Sequence, residues 1–129
     1  MANQFVVQLR NEPGAMATLA EALAARGVDL RAIGGGGIGD SGHVIMTTAD
    51  DRTTKQVLDE GGYTYIEGES ILAEVDDKPG GMARLSRELA DAGVNIYGHL
   101  FLGRWGDRAM FAFVVDDPDR ARPILERKT

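Results

Sequence analysis

Few residues in this sequence have the types and spacing of reactive groups. Cysteine is absent, which removes disulfides, thiol catalysis and the commonest zinc sites. The only two histidines, His43 and His99, fall in predicted strands with no carboxylate triad nearby, so neither a metal site nor a catalytic residue is expected. Gly34 to Gly39 spells G-x-G-x-x-G, but a dinucleotide fingerprint must open a helix after a strand. The stretch Ser41-Gly42-His43-Val44-Ile45-Met46 reads instead as a strand. We read the run as strand and hairpin without side chains, where the backbone of a ligand or a neighbouring module comes close. What remains is two bends, Pro13-Gly14 and Pro79-Gly80, each opening a helical pattern. The first backbone N–H groups of such a helix, with the positive end of its dipole, suit a carboxylate. Gly14 and Gly80 lack the Cβ that would keep an anion away. The plainer reading of the same bends is a strand-to-helix connector.

The bends belong to a repeat. Sliding the sequence by 66 positions lays Pro13-Gly14-Ala15-Met16-Ala17 over Pro79-Gly80-Gly81-Met82-Ala83, and nine of the sixteen positions from 13 to 28 are identical. The same offset puts Gly37 on Gly103, Asp50-Asp51 on Asp116-Asp117 and Glu60 on Glu126, so a whole unit is duplicated. In each unit a short apolar strand (5 to 9, 71 to 75) precedes the bend. A helix follows, with Met16, Leu19, Leu23 and Met82, Leu85, Leu89 at helical spacing, ended by Gly27 or Gly93. Strands over 29 to 37 and 43 to 49, then 95 to 103 and 109 to 115, are joined by the turns Gly39-Asp40-Ser41-Gly42 and Arg104-Trp105-Gly106-Asp107. Asp51 and Asp117 are the predicted N-caps of two short closing helices, the second with Pro118 at its first position.

A closing strand, Tyr63-Thr64-Tyr65-Ile66, appears once, and the chain stops before a second copy. The short link Glu67-Gly68-Glu69 favours a hairpin that pairs 63–66 with 71–75. That division gives module 1 as residues 1–66 and module 2 as 67–129. It leaves an exposed edge beside strand 5–9 and hence predicts a homodimer.

The formal net charge of −6 and pI near 4.8 disfavour phosphate binding, so no nucleic acid partner is expected. No apolar run approaches the roughly 18 residues of a membrane span, and no signal sequence is recognised. A cytoplasmic protein without membrane association is expected.

Two strand-bend-helix units carrying Asn11-Glu12-Pro13-Gly14 with Gly27-Val28-Asp29-Leu30, and Asp77-Lys78-Pro79-Gly80 with Gly93-Val94-Asn95-Ile96, resemble the ACT domain. The tandem is similar to the regulatory tail of aspartokinases and closer to free-standing tandem ACT proteins. The resemblance implies an α+β fold: two ferredoxin-like (βαββαβ) modules, antiparallel sheets with helices on one face, the second lacking its own C-terminal strand. It also implies a regulatory protein that binds an amino acid at module interfaces, signals to a metabolic enzyme or transcriptional regulator, does no catalysis and needs no cofactor. Its ligand residues are then Asn11, Gly14, Ala15, Met16 and Asp29 with Asp77, Gly80, Gly81, Met82 and Asn95. The family pattern draws the residue before the bend and the one after the helix from different modules. With cross-paired modules Asn11 would face Asn95, a neutral pair, and Asp77 would face Asp29, two carboxylates that repel a ligand's own, so one competent site is expected per pair. Asp29 and Asn95 are equally ordinary residues for a strand start. Arg104-Trp105 reads as a partner anchor or as a solvated turn.

The alternatives are an interaction subunit whose ligand site is lost and, less favoured, a ferredoxin-like hydrolase. The latter wants an arginine-bearing phosphate loop where Asn11-Glu12-Pro13-Gly14 stands. RNA binding on this fold would need exposed aromatic platforms and positive charge, and only 6% of residues are aromatic.

Overall fold

A computed structural model describes residues 3–127, which fall into two compact units, one ending at Gly68 and the other starting at Glu69. The first contains β1 (Asn3–Arg10), α1 (Ala15–Ala25), β2 (Leu30–Ile38), β3 (Ser41–Thr48), α2 (Asp51–Glu60) and β4 (Tyr65–Glu69). Its sheet has the order β2-β3-β1-β4, with β3 antiparallel to both β1 and β2. Alternation along the strands sends Phe5, Val7, Val44 and Met46 to one face, where Leu19 and Leu23 of α1 and Val57 and Leu58 of α2 cover them. Both helices therefore lie on the same side. Full burial of side chains such as Leu19, Leu23 and Leu58 contributes about 1.5–3 kcal/mol each.

The second unit repeats the plan with β5 (Ile71–Asp76), α3 (Gly81–Asp91), β6 (Ile96–Trp105), β7 (Arg108–Val115) and α4 (Pro118–Leu125). Its antiparallel sheet has the order β5-β7-β6 and, among the described residues, no fourth strand. Ile71, Ala73, Val75, Phe113 and Val115 face Leu85, Leu89, Ala121 and Leu125 in its core. The repeat thus gives two α+β, ferredoxin-like modules in tandem, the second short of a closing strand.

The closing strand of the first unit corrects one expectation. β4 joins β1 in the first sheet and does not pair with β5, whose neighbour is β7. Only Ser70 separates β4 from β5, too few residues to reverse the chain, since the tightest common hairpins need two. Tyr63 and Tyr65 pack instead on the first core, Tyr65 with its ring 6.1 Å from Phe5, and the Gln8 amide donates to Thr64 O at 2.9 Å. β1 is therefore flanked on both sides, and the exposed edge expected beside it does not exist.

A second correction concerns the register of the repeat. In β6 the ladder passes from Phe101 to Gly103 and skips Leu102, a one-residue bulge with no counterpart in β2. Beyond it the units correspond at an offset of 67, not 66. The turns Gly39-Asp40 and Gly106-Asp107, shorter than expected, follow this shift. So do the caps: Asp50, not Asp51, caps α2 by accepting from Thr53 N at 3.0 Å, and Asp117 caps α4 by accepting from Arg120 N at 3.1 Å.

Candidate functional site

Gly14 and Gly80 stand before α1 and α3 with φ of 87° and 91°. A Cβ at either would meet nothing within 4 Å, so the left-handed backbone of the bend, not crowding, is what requires glycine. No side chain caps either helix. The Ala15 amide donates to Glu12 O at 3.3 Å and the Gly81 amide to Lys78 O at 3.1 Å. The remaining first-turn amides are the orphan donors of a helix N-terminus.

In the first unit this helix end borders a cleft of about 360 Å³, lined by Leu9, Arg10, Asn11, Glu12, Ala15, Met16, Ile33 to Gly36 and Gly42 to Val44, within the size range of small-molecule sites. Three of the expected ligand residues, Asn11, Ala15 and Met16, meet there. Asn11 is held by two bonds to the β2–β3 turn, its amide to Asp40 O at 3.0 Å and its Nδ2 to Gly39 O at 2.9 Å. Its carboxamide lies so close over Gly37 that a Cβ there would come within 2.6 Å of it. Leu9, Met16, Ile33 and Val44 give the cleft apolar walls, and Ile33 is 48% exposed. A larger, more open depression of about 530 Å³ shares Leu9, Arg10, Glu12 and Ala15 but is otherwise walled by Gln8, Asp40 and the 61–64 loop. It shares Leu9 but not Met16, Ile33 or Val44, and we place the site in the smaller cleft.

The second bend borders a corresponding cleft of about 330 Å³, lined by Val75, Asp76, Asp77, Lys78, Pro79, Met82, Arg104, Ala109 and Phe111. Here Arg104 Nε donates to Asp77 Oδ2 at 2.8 Å, and the Arg104 guanidinium lies over the Phe101 ring, 4.7 Å from its centroid. Phe101 in turn meets Phe111 edge-on at 5.5 Å. Gly81 has a structural reason of its own: a Cβ there would stand 3.1 Å from Val75 Cγ1 and inside van der Waals contact with the Asp76 carbonyl oxygen. Neither Gly14 nor Gly80 lines a cleft.

Asp29 and Asn95 sit at the far end of their sheets. The ladder runs from Ile38 opposite Ser41 to Leu30 opposite Thr48, while β1 brings Arg10 to Ser41. At about 3.3 Å per residue the two ends are some 25 Å apart, so no single unit brings both polar residues to one ligand. Asp29 carries an exposed ion pair with Arg31 at 3.4 Å, and the Asn95 amide donates to Asp116 Oδ1 at 2.8 Å. Each carboxylate of the expected repulsive pair thus already has an arginine partner of its own. Among the described residues no group of three His, Cys, Asp or Glu is placed to hold a metal, and no helix is long and apolar enough to cross a membrane.

No protein-family profile and no curated protein matches the chain. Solved structures do. A protein from Bacteroides thetaiotaomicron superposes with a TM-score of 0.71 at 19% identity, covering 97% of this chain and 86% of its own. The regulatory subunit of aspartate kinase from Thermus thermophilus, in its ligand-free form, gives 0.62 at 19% identity, covering 97% and 87%. That from Thermus flavus gives 0.64 at 17%, covering 98% and 92%. The fold is the tandem ACT type. At these identities the likeness extends to the path of the chain, and the two ACT-type units must be judged by their own residues.

Sequence reasoning found the bends and the polar residues before them. It missed Ile33, Val44 and Leu9 as walls of the first ACT-type cleft, although the bare Gly34–Gly37 backbone beside them carried a signal. It also missed that Arg104, noted as a turn-tip residue, reaches back to Asp77, a contact set by the Leu102 bulge.

Proposed function

We propose that this chain is a cytoplasmic regulatory protein that binds a free amino acid at the Pro13-Gly14 bend and passes the occupancy to a metabolic enzyme or a transcriptional regulator, without catalysing a reaction. The observation that carries the reading is the first-unit cleft. An uncapped helix N-terminus supplies donors for a carboxylate, the Asn11 carboxamide supplies an acceptor for an ammonium, and apolar walls lie between them. The likeness to regulatory subunits of aspartate kinase supports it. A thermal-shift panel of the twenty amino acids tests it: one or a few should raise the melting temperature by mass action, and an Asn11→Ala variant should lose that response. If none of the twenty stabilises the protein, the reading gives way to an interaction subunit with no ligand of this class.

Self-association into a homodimer belongs to the same proposal. β2 and β4 end the first sheet, and β5 and β6 end the second, and strand edges invite pairing. Light scattering across a concentration series tests it, and a monomer throughout would refute it.

A further inference from the structure

The polar residue before the second bend is charged where its counterpart is neutral. Asn11 and Asp77 occupy the same place in the two units, their amides donating to Asp40 O and Asp107 O. Asn11 gives its Nδ2 to Gly39 O, whereas Asp77 Oδ2 accepts from Arg104 Nε at 2.8 Å. Arg104 reaches Asp77 through the Leu102 bulge. An uninterrupted β6 would turn residue 104 to the opposite face, and the bulge instead sets it in one row with Ala109 and Val75. The guanidinium is seated over the Phe101 ring, which Phe111 meets edge-on. Among the described residues, neither Nη group of Arg104 has a hydrogen-bonding partner, nor has Asp77 Oδ1. The pair thus leaves a two-pronged donor and a carboxylate oxygen unused, beside a cleft that keeps about 330 Å³ open.

We propose that the second cleft is an amino-acid site in its own right, in which the two Nη groups of Arg104 receive an α-carboxylate and Asp77 Oδ1 receives an α-ammonium. This goes beyond the site at the first bend, where the carboxylate falls to helix amides and the ammonium to a neutral carboxamide. The planar fork of a guanidinium matches a carboxylate through two parallel, charge-assisted bonds. An ionised carboxyl is in turn the stronger acceptor for an ammonium. Around the cleft Asp76 and Asp77 are offset by Lys78 and Arg104, so a zwitterion enters without unbalancing the charge. Arg104 also removes the obstacle expected at this bend, because it answers the carboxylate that would otherwise repel the ligand's own. The remaining walls are apolar, with Val75, Met82, Ala109 and Phe111 among them. They select an amino acid with an apolar side chain.

Titration of the isotope-labelled, full-length protein with each of the twenty amino acids, followed residue by residue by NMR, tests the site. Each unit has a core of its own, so this readout keeps the second cleft apart from the response that Asn11→Ala removes. The Met82 amide and the Arg104 Nε–H should shift and saturate with L-leucine, L-methionine or L-phenylalanine. The 2-oxo acid of leucine, which lacks the ammonium, should bind there at least about tenfold more weakly. Arg104→Gln should weaken the Met82 response at least about tenfold, and Arg104→Lys, which keeps the charge without the fork, should restore only part of it. The Met16 response of the first cleft should stay within about twofold in both variants. The Arg104 side chain is 61% exposed, so both variants keep their fold, which the same spectra report. A Met82 signal that no amino acid moves, or that moves with unchanged affinity in Arg104→Gln, would reduce Arg104 and Asp77 to a surface ion pair and overturn the site. Shifts confined to Met16 would overturn it and leave the first-bend reading standing, whereas shifts confined to Met82 would uphold it and overturn the first-bend placement. Shifts at neither would remove both.

Discussion

Replacing Gly81 with alanine separates a ligand contact from a packing constraint. At the equivalent place in the first unit the chain already carries alanine, Ala15, so the sequence alone predicts a harmless change toward the better helix former. The structure predicts the opposite. The added methyl would stand 3.1 Å from Val75 Cγ1 and closer still to the Asp76 carbonyl oxygen, where contacts between such atoms settle near 3.5 Å. The carbonyl is backbone at the end of β5, and its displacement disturbs the Asp76–Arg108 pairing in the ladder. Overpacking of this kind costs about 1–3 kcal/mol, which for a unit of this size lowers the melting temperature by about 5–20 °C. Differential scanning calorimetry of Gly81→Ala beside Ala15→Gly measures it, and the control should lose no more than about 1 kcal/mol. A Gly81→Ala protein melting within about 1 °C of the original, with weakened amino-acid binding, would refute the packing argument and return Gly81 to the ligand.

Leu23→Ala and Leu89→Ala remove fully buried side chains from the two cores and should each cost about 2–5 kcal/mol in urea denaturation; a cost below about 1 kcal/mol would show that the helices do not close these cores. The Thr53 hydroxyl and amide hold the Asp50 carboxyl below its ordinary value, and the Arg122 guanidinium does the same for Glu69. Because both are depressed in the folded state, their contribution is present above the ordinary carboxylate values and is lost as pH falls from those values through the lowered folded-state ones. The drop in melting temperature on acidification should accordingly be smaller in an Asp50→Asn, Glu69→Gln variant, and an unchanged acid profile would refute these assignments. Gly14→Ala forces a left-handed alanine into the bend and should cost about 1–2 kcal/mol, whereas Gly36→Ala, with open space around its Cβ, should leave stability within about 1 kcal/mol; denaturant melts of the pair that fail to separate would refute the backbone account of the bend.

The duplication, the class of each element and the two Pro-Gly bends were legible in the sequence because they are local. Apolar spacing marks a helix within one or two turns, and a glycine after a proline marks a bend by its own backbone freedom. What the sequence could not decide is non-local. β4 had two candidate neighbours, and the choice fell to β1 because one residue between β4 and β5 cannot turn the chain and because Tyr63 and Tyr65 gain burial on the first core. The bulge at Leu102 changes no residue type, yet it moves every later position of the second unit by one, so that the counterpart of the cap Asp117 is Asp50 and not Asp51, and Arg104 stands in the row that matches Gly37. Sequence therefore determined which groups exist at each bend, and tertiary pairing across the strands decided which partners they meet, the β2–β3 turn for Asn11 and Arg104 for Asp77.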